Sequence, residues 1–259
     1  MPADTASVTA NLPALSVEAV SKRFGGLLAN DAISISVARG EVHAVIGPNG
    51  AGKTTLIAQL CGELSPDSGR VLLSGRDVTR WAPHARAQGG LARSFQITSI
   101  MPSLTVREHV ALAAAGVRGG AWRPWRRLLG RGAIAQQATQ AIARAGLEAK
   151  SDQPGRALSH GERRQLEIAM AIALSPSVLL LDEPAAGLGL QEATALTALI
   201  RELGRDIAVL LVEHDMDIVF SVADTITVLV AGKVIASGPP AQIREDSAVR
   251  LAYLGTDTA

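Results

Sequence analysis

The sequence predicts an α/β fold with a mostly parallel core sheet, an antiparallel β unit ahead of it and a helical insertion within it. Three observations carry that expectation. A glycine-rich loop, residues 47–54, lies between the apolar run Val42–Ile46 and a helical stretch at residues 54–60. Apolar runs at residues 178–181, 207–212 and 226–230 are short and separated by helical segments, as buried parallel strands are. Residues 105–174 are alanine-rich with few β-branched runs, which suits a helical unit.

Each element follows from its local pattern. Residues 1–13, rich in Ala, Ser and Thr, read as a disordered tail, with neither the basic nor the apolar region of a secretory signal. Residues 14–20 and 32–37 alternate apolar and polar, placing Ile33, Ile35 and Val37 on one face of half-buried antiparallel strands. Residues 71–73 read as a further strand of that unit. Leu166, Ala169, Met170, Ala173 and Leu174 fall on one helix face. Ser159, three residues before Glu162, has the capping-box spacing of a helix start. The expected layout is one domain over 14–259, its core formed by 14–96 and 176–259 and its helical subdomain by about 97–175.

Composition narrows the function classes. With 259 residues, 47% of them hydrophobic and 19% charged, the chain can bury a sizeable core. A net charge of +1 argues against a nucleic-acid-coating surface. The single cysteine, Cys61, excludes an internal disulfide and reads as a small core residue. No window has the 18 uninterrupted apolar residues of a membrane span; the longest candidate, 168–181, is broken by Pro176. The stretch 118–132 carries five arginines and both Trp122 and Trp125 without an acid, as a lipid-facing loop or a solvated basic loop would.

The residues that carry chemistry begin with Gly47, Pro48, Asn49, Gly50, Ala51, Gly52, Lys53 and Thr54, a match to the phosphate loop G-x-x-x-x-G-K-S/T, followed by Thr55. Glycines let backbone N–H groups approach phosphate oxygens, and the following helix start favours anions. Lys53 is placed to reach the β- and γ-phosphates and Thr54 to ligate Mg²⁺. Asp182 and Glu183 end the apolar run at 178–181, the first suited to support Mg²⁺ and the second to polarise an attacking water. Ser159 and Gly161 open the second helix start, which either caps itself or binds an anion. His214 ends the run at 207–212, and Gln96 has a side chain able to reach both Mg²⁺ and water.

Taken in order, these motifs resemble the ATP-binding-cassette family of transport ATPases over about residues 14–255. The resemblance implies ATP and Mg²⁺ as cofactors. It makes Phe24 the aromatic that stacks on adenine, Gln96 the Q-loop glutamine and a metal contact, Asp182 the Walker B carboxylate that supports the metal, Glu183 the general base and His214 the switch histidine. Ser159, Gly161 and Glu162 become the signature that acts across a dimer. His160 and Glu162 replace the common glycine and glutamine of that signature, and Gly189 stands where the D-loop usually has aspartate. Within the family, the strings at 24–26, 92–96, 166–169, 181–188, 212–217 and 252–255 are similar to ATP-binding subunits of branched-chain amino acid importers. Urea and amide importers carry similar strings; a lipopolysaccharide-type exporter ATPase and a soluble regulatory ATPase without a membrane partner are the other readings. The importer reading implies two membrane-spanning permease subunits, a second ATPase subunit (identical or a sister chain), indirectly an extracytoplasmic binding protein, and no nucleic acid. It places the chain at the cytoplasmic face of the bacterial inner membrane, with Phe95, Gln96 and residues 97–104, Met101 among them, near the permease contact.

Overall fold

The structure, a computed structural model, describes residues 12–94, 100–117 and 132–254. It opens with the hairpin β1 (Leu15–Phe24) and β2 (Leu27–Val37), then core strand β3 (Val42–Ile46) and helix α1 (Lys53–Cys61). β4 (Ser68–Leu73) and β5 (Arg76–Asp77) complete a four-stranded antiparallel sheet in the order β2-β1-β4-β5. Val17, Ile33, Ile35 and Val71 are buried on its inner face, as alternation requires, and a register shift between residues 17 and 20 brings Val20 into the same cluster. The hairpin extends past residue 20 through pairs such as Lys22 with Asn30 and Phe24 with Leu27. Apolar alternation stops there because backbone pairing, with several register shifts, carries the exposed end.

Helix α2 (Pro83–Gln88) and the short strand β6 (Leu91–Arg93) lead to three helices, α3 (Val106–Val117), α4 (Ala133–Arg144) and α5 (His160–Ile172). The chain then returns through β7 (Val178–Asp182), α6 (Leu190–Leu203), β8 (Ala208–Val212), α7 (Met216–Val222), β9 (Thr225–Val230), β10 (Lys233–Gly238), α8 (Pro240–Glu245) and α9 (Ser247–Leu254). The core sheet has the order β10-β9-β3-β8-β7-β6 and is parallel except at its β9–β10 edge.

Every residue of β3, β7 and β8 is buried, which is why these strands read as continuous apolar runs. Successive side chains nevertheless serve opposite faces. Leu179, Leu181, Val209 and Leu211 pack with Val110, Leu166 and Ile168 of the helical segment. Val178, Leu180, Leu210 and Val212 pack with Leu56, Ile57 and Leu60 of α1 and with the antiparallel sheet. Cys61 joins that second cluster, and burial pushes its thiol up to about 11, so it behaves as a core residue.

The parallel register brings the carboxyl ends of three strands together: Asp182 pairs with Val212, and Val45 with Val212 on the other side. The glycine-rich loop after β3, the Asp182–Glu183 pair and His214 therefore emerge at one edge, where open α/β sheets bind ligands. Helix α1 is held at its far end by Arg86, 1% exposed, whose Nη1 donates to the carbonyls of Gln59 and Leu60 at 2.6 Å each. The Gln59 carbonyl also accepts from the Gly62 N–H at 3.2 Å, and the Leu60 carbonyl is one that a helix C-terminus leaves without an intrahelical partner.

Candidate nucleotide-binding and hydrolysis site

The loop before α1 needs its glycines for two separate reasons. At Gly47, φ is +156° and a side chain would collide with the Leu229 carbonyl; at Gly52, φ is +100° and the Ala29 carbonyl is in the way. The buried pair Asn30 and Gln59 supports the loop from beneath. Gln59 Nε2 donates to Asn30 Oδ1 at 2.6 Å, and Asn30 Nδ2 donates to the Gly52 carbonyl at 3.1 Å. Helix α1 has no side-chain cap and no acidic residue in its first turn. Its leading N–H groups and partial positive charge suit an external anion.

Lys53 is buried, and its Nζ donates to the carbonyls of Gly47 at 2.6 Å and Pro48 at 3.1 Å. Burial lowers its pKa, and the charges of Glu183 and Asp182 oppose that shift. The ammonium thus stays at the loop, beside two carboxylates. Phe24, residues 49–55 and Glu183 line one cleft of about 470 Å³ with Leu27, Leu28 and Gly232. Phe24 is half exposed at its mouth, an apolar ring face open to a planar ligand.

The two carboxylates at the end of β7 have different surroundings. Asp182 is 3% exposed, and its Oδ2 accepts from Arg93 Nη2 at 3.0 Å. Glu183 is half-buried and has φ +45°, a left-handed conformation that strains a residue with a side chain. Its backbone is clamped there: its N–H donates to the Val212 carbonyl at 2.9 Å, and its carbonyl accepts from Arg164 at 3.3 Å. Of the two, only Glu183 lines the cleft beside the phosphate loop.

The second helix start is satisfied internally. Ser159 caps α5 in a full capping box with Glu162, their paired bonds measuring 3.2 and 2.8 Å. A residue that local sequence reading missed, Glu192 of α6, adds a third group. Its Oε1 accepts from the Gly161 N–H at 3.0 Å and the Ser159 hydroxyl at 3.4 Å, while Oε2 accepts from the Gly189 N–H at 3.3 Å. The Gly161 and Gly189 N–H groups hold this carboxyl below its ordinary value, with Ser159 and the neighbouring His160 adding to the effect. The only sequence signal was its spacing after Gly189, which says nothing of the reach to α5.

The remaining expected residues separate clearly. His214 is at the strand end, its side chain 63% exposed and its Nδ1 3.6 Å from Glu213. Glu213, fully buried, accepts from the N–H groups of Ala185 and His214 at 2.9 and 3.1 Å, tying this strand end to the turn after Glu183. His43 and His109 have structural partners: His43 Nε2 bonds Thr227 at 2.8 Å, and His109 bridges the Met101 N–H and the Thr105 carbonyl. Gln96, Phe95 and Ile97 lie outside the described residues, as does the arginine–tryptophan stretch 118–131. Of the expected permease contact, Met101 is 47% exposed and Leu104 is buried.

Comparison with known proteins agrees with this geometry. A family profile described as ABC transporter matches residues 30–186, and one described as branched-chain amino acid ATP-binding cassette transporter matches residues 233–259. The chain belongs to the ABC transporter family as one of its ATP-binding cassettes. It is 36% identical to the high-affinity branched-chain amino acid transport ATP-binding protein BraF of Pseudomonas aeruginosa, over 94% of this chain and 98% of that protein. It is 37% identical to the corresponding protein LivG of Escherichia coli K12, with the same coverage. Among solved structures it resembles the ADP conformation of MJ1267, an ATP-binding cassette of an ABC transporter, with a TM-score of 0.83 and 30% identity over 95% of this chain and 100% of that one.

Proposed function

We propose that the chain binds Mg²⁺–ATP in the cleft between its phosphate loop and Glu183, hydrolyses it as one of a pair, and thereby powers a branched-chain amino acid importer. The observation that carries hydrolysis is the convergence of Lys53, Thr54 and Glu183 on one cleft. In this reading Lys53 exchanges its loop carbonyls for phosphate oxygens, and Phe24 stacks on the base. Glu183, held by its clamped backbone, accepts a proton from the attacking water. Gln96 and His214 assist at the γ-phosphate. Thr54 and Asp182 offer hard oxygen donors that suit Mg²⁺, which is commonly bound by one or two carboxylates together with substrate phosphates. Once bound, that cation neutralises phosphate charge.

Among the described residues no helix is long and apolar enough to cross a membrane, so force must pass to permease subunits through docking, with the region before α3, including Met101, as the contact. The solute assignment rests on full-length similarity to BraF and LivG together with the match at residues 233–259. Identity alone is a weaker guide, since a ribose import ATP-binding protein of Rubrobacter xylanophilus is also 36% identical, over 47% of its length. The test is co-purification in mild detergent followed by reconstitution with the captured permeases. ATP-dependent uptake of leucine, isoleucine and valine is expected. Uptake of urea or an amide instead would reassign the solute, and failure to capture any permease would favour a soluble ATPase.

A further inference from the structure

We infer that Arg93 is a positioning residue for the metal-supporting carboxylate: it fixes Asp182 and anchors it to the far end of the phosphate-loop helix. The inference rests on the proposed role of Asp182. Arg93 ends β6, paired in register with Leu180 on the neighbouring strand, so its side chain meets Asp182 at the same edge of the sheet. One arm of the guanidinium, Nη2, donates to Asp182 Oδ2 at 3.0 Å. The other, Nη1, donates to both carboxylate oxygens of Glu63 at 3.0 Å. Glu63 is itself fixed to α1, since its N–H donates to the Ala58 carbonyl at 3.0 Å. A single planar group therefore joins α1, β6 and β7.

The chemistry suits this task. An isolated carboxylate buried like Asp182 is costly, and the arginine's N–H group offsets part of that cost and orients it. Asp182 Oδ1 makes no hydrogen bond among the described residues, so one oxygen is held while the other remains available. Arginine's rigid fork can hold two carboxylates at once in a set direction, which lysine's single ammonium cannot. Because Glu63 already offsets the charge of Arg93, the expected loss on replacement is orientation more than electrostatics. Asp182 would then have to be ordered when the metal arrives.

The test measures ATP affinity with Mg²⁺ and with EDTA, using calorimetry on a Glu183→Gln background chosen for its slowed turnover. The ratio of the two dissociation constants reports what the metal contributes. Arg93→Gln and Arg93→Lys are both expected to lower that ratio roughly two- to tenfold, the scale of immobilising one side chain, with the EDTA affinity unchanged. Arg93→Lys keeps the charge and loses the fork, so it retains the test if Arg93→Gln does not fold. An unchanged ratio in folded protein makes Arg93 merely structural, and a raised ratio makes it an electrostatic opponent of the cation; either overturns the inference. Asp182→Asn separates the two levels. If it lowers the ratio and the Arg93 variants do not, only the inference fails; if it leaves the ratio unchanged, the role proposed for Asp182 fails as well.

Discussion

The N-terminus of α1 and the N-terminus of α5 have the same backbone chemistry but are completed in opposite ways. Helix α1 starts at a left-handed glycine with no capping side chain and no acidic residue in its first turn, and a buried lysine lies along its loop. Helix α5 starts at a serine in a complete capping box and also receives the Glu192 carboxylate from a neighbouring helix. The first end is organised around an anion from outside; the second already holds one from within. If the signature receives the partner's nucleotide, that phosphate must take the Gly161 N–H and the Ser159 hydroxyl from Glu192. On that reading the phosphate-loop half has only Lys53 to redirect from its loop carbonyls, whereas the signature half would have to release Glu192.

The sharpest way to break this contrast is to remove the cation at α1. Lys53→Ala is expected to weaken ATP binding about a hundredfold, the scale of losing a charge-assisted contact of about 3 kcal/mol. Ser159→Ala should leave ATP binding by the monomer within about twofold, because the signature reading places α5 against the partner's nucleotide. Calorimetry on both variants checks the pair, and equal losses would erase the distinction.

Glu183→Gln should lower turnover by about 10²- to 10⁴-fold while leaving ATP affinity intact, the range attributed to a general base. Stopped turnover with bound ATP, read by filter binding and phosphate release, is the expected signature. Its companion Glu183→Gly relieves the strain at φ +45° and should raise unfolding stability by about 1 kcal/mol while also abolishing turnover. Urea melts measure the gain; a loss of stability would mean that the side chain's contacts outweigh the backbone strain.

Removing Glu192 sharpens the comparison further. On the Glu183→Gln background, Glu192→Ala should lower the ATP concentration needed for dimerisation a few-fold, since no carboxylate then competes for Gly161. Sedimentation with ATP reads the shift. Weaker dimerisation would identify Glu192 as a support of the signature rather than a competitor for it.

The smallest effect is in pH. The Glu192 carboxyl titrates below its ordinary value of 4.5, with the Gly161 N–H the leading cause. A depressed carboxylate contributes fully above its unfolded value and loses that contribution as pH falls through its folded value. The Gly161 amide resonance should therefore titrate with a midpoint below 4.5. A midpoint at or above 4.5 would mean that the Gly161 and Gly189 N–H groups do not stabilise this carboxylate.

Much of the core could be read along the chain because local pattern and burial coincide there. The runs at 42–46, 178–181 and 207–212 are buried on both faces, so their apolar composition marks them wherever they pack. Strand β10 escaped notice because it is a short edge strand whose residues alternate between half-covered and exposed, so its Val234-Ile235-Ala236 run lacks the full burial of a core strand. Phe24, Lys53 and Glu183 are brought to one cleft, as their motifs led one to expect, whereas Gln96 lies outside the described residues.

What the sequence determined by itself was what lies within a few residues of chain. The strand–loop–helix around Lys53, the capping box of Ser159 and Glu162, and the adjacency of Asp182 and Glu183 all depend on short-range geometry and residue type. Tertiary structure alone decided the side chains that cross between elements: Arg93 on Asp182 and Glu63, Glu213 on the turn after Glu183, and Glu192 on Gly161. Local periodicity carries no information about a charged side chain's partner 31 or 89 positions away. That choice is made when sheet register and helix packing bring strand ends and helix starts to one edge, where a buried or helix-capping charge must find its counterpart.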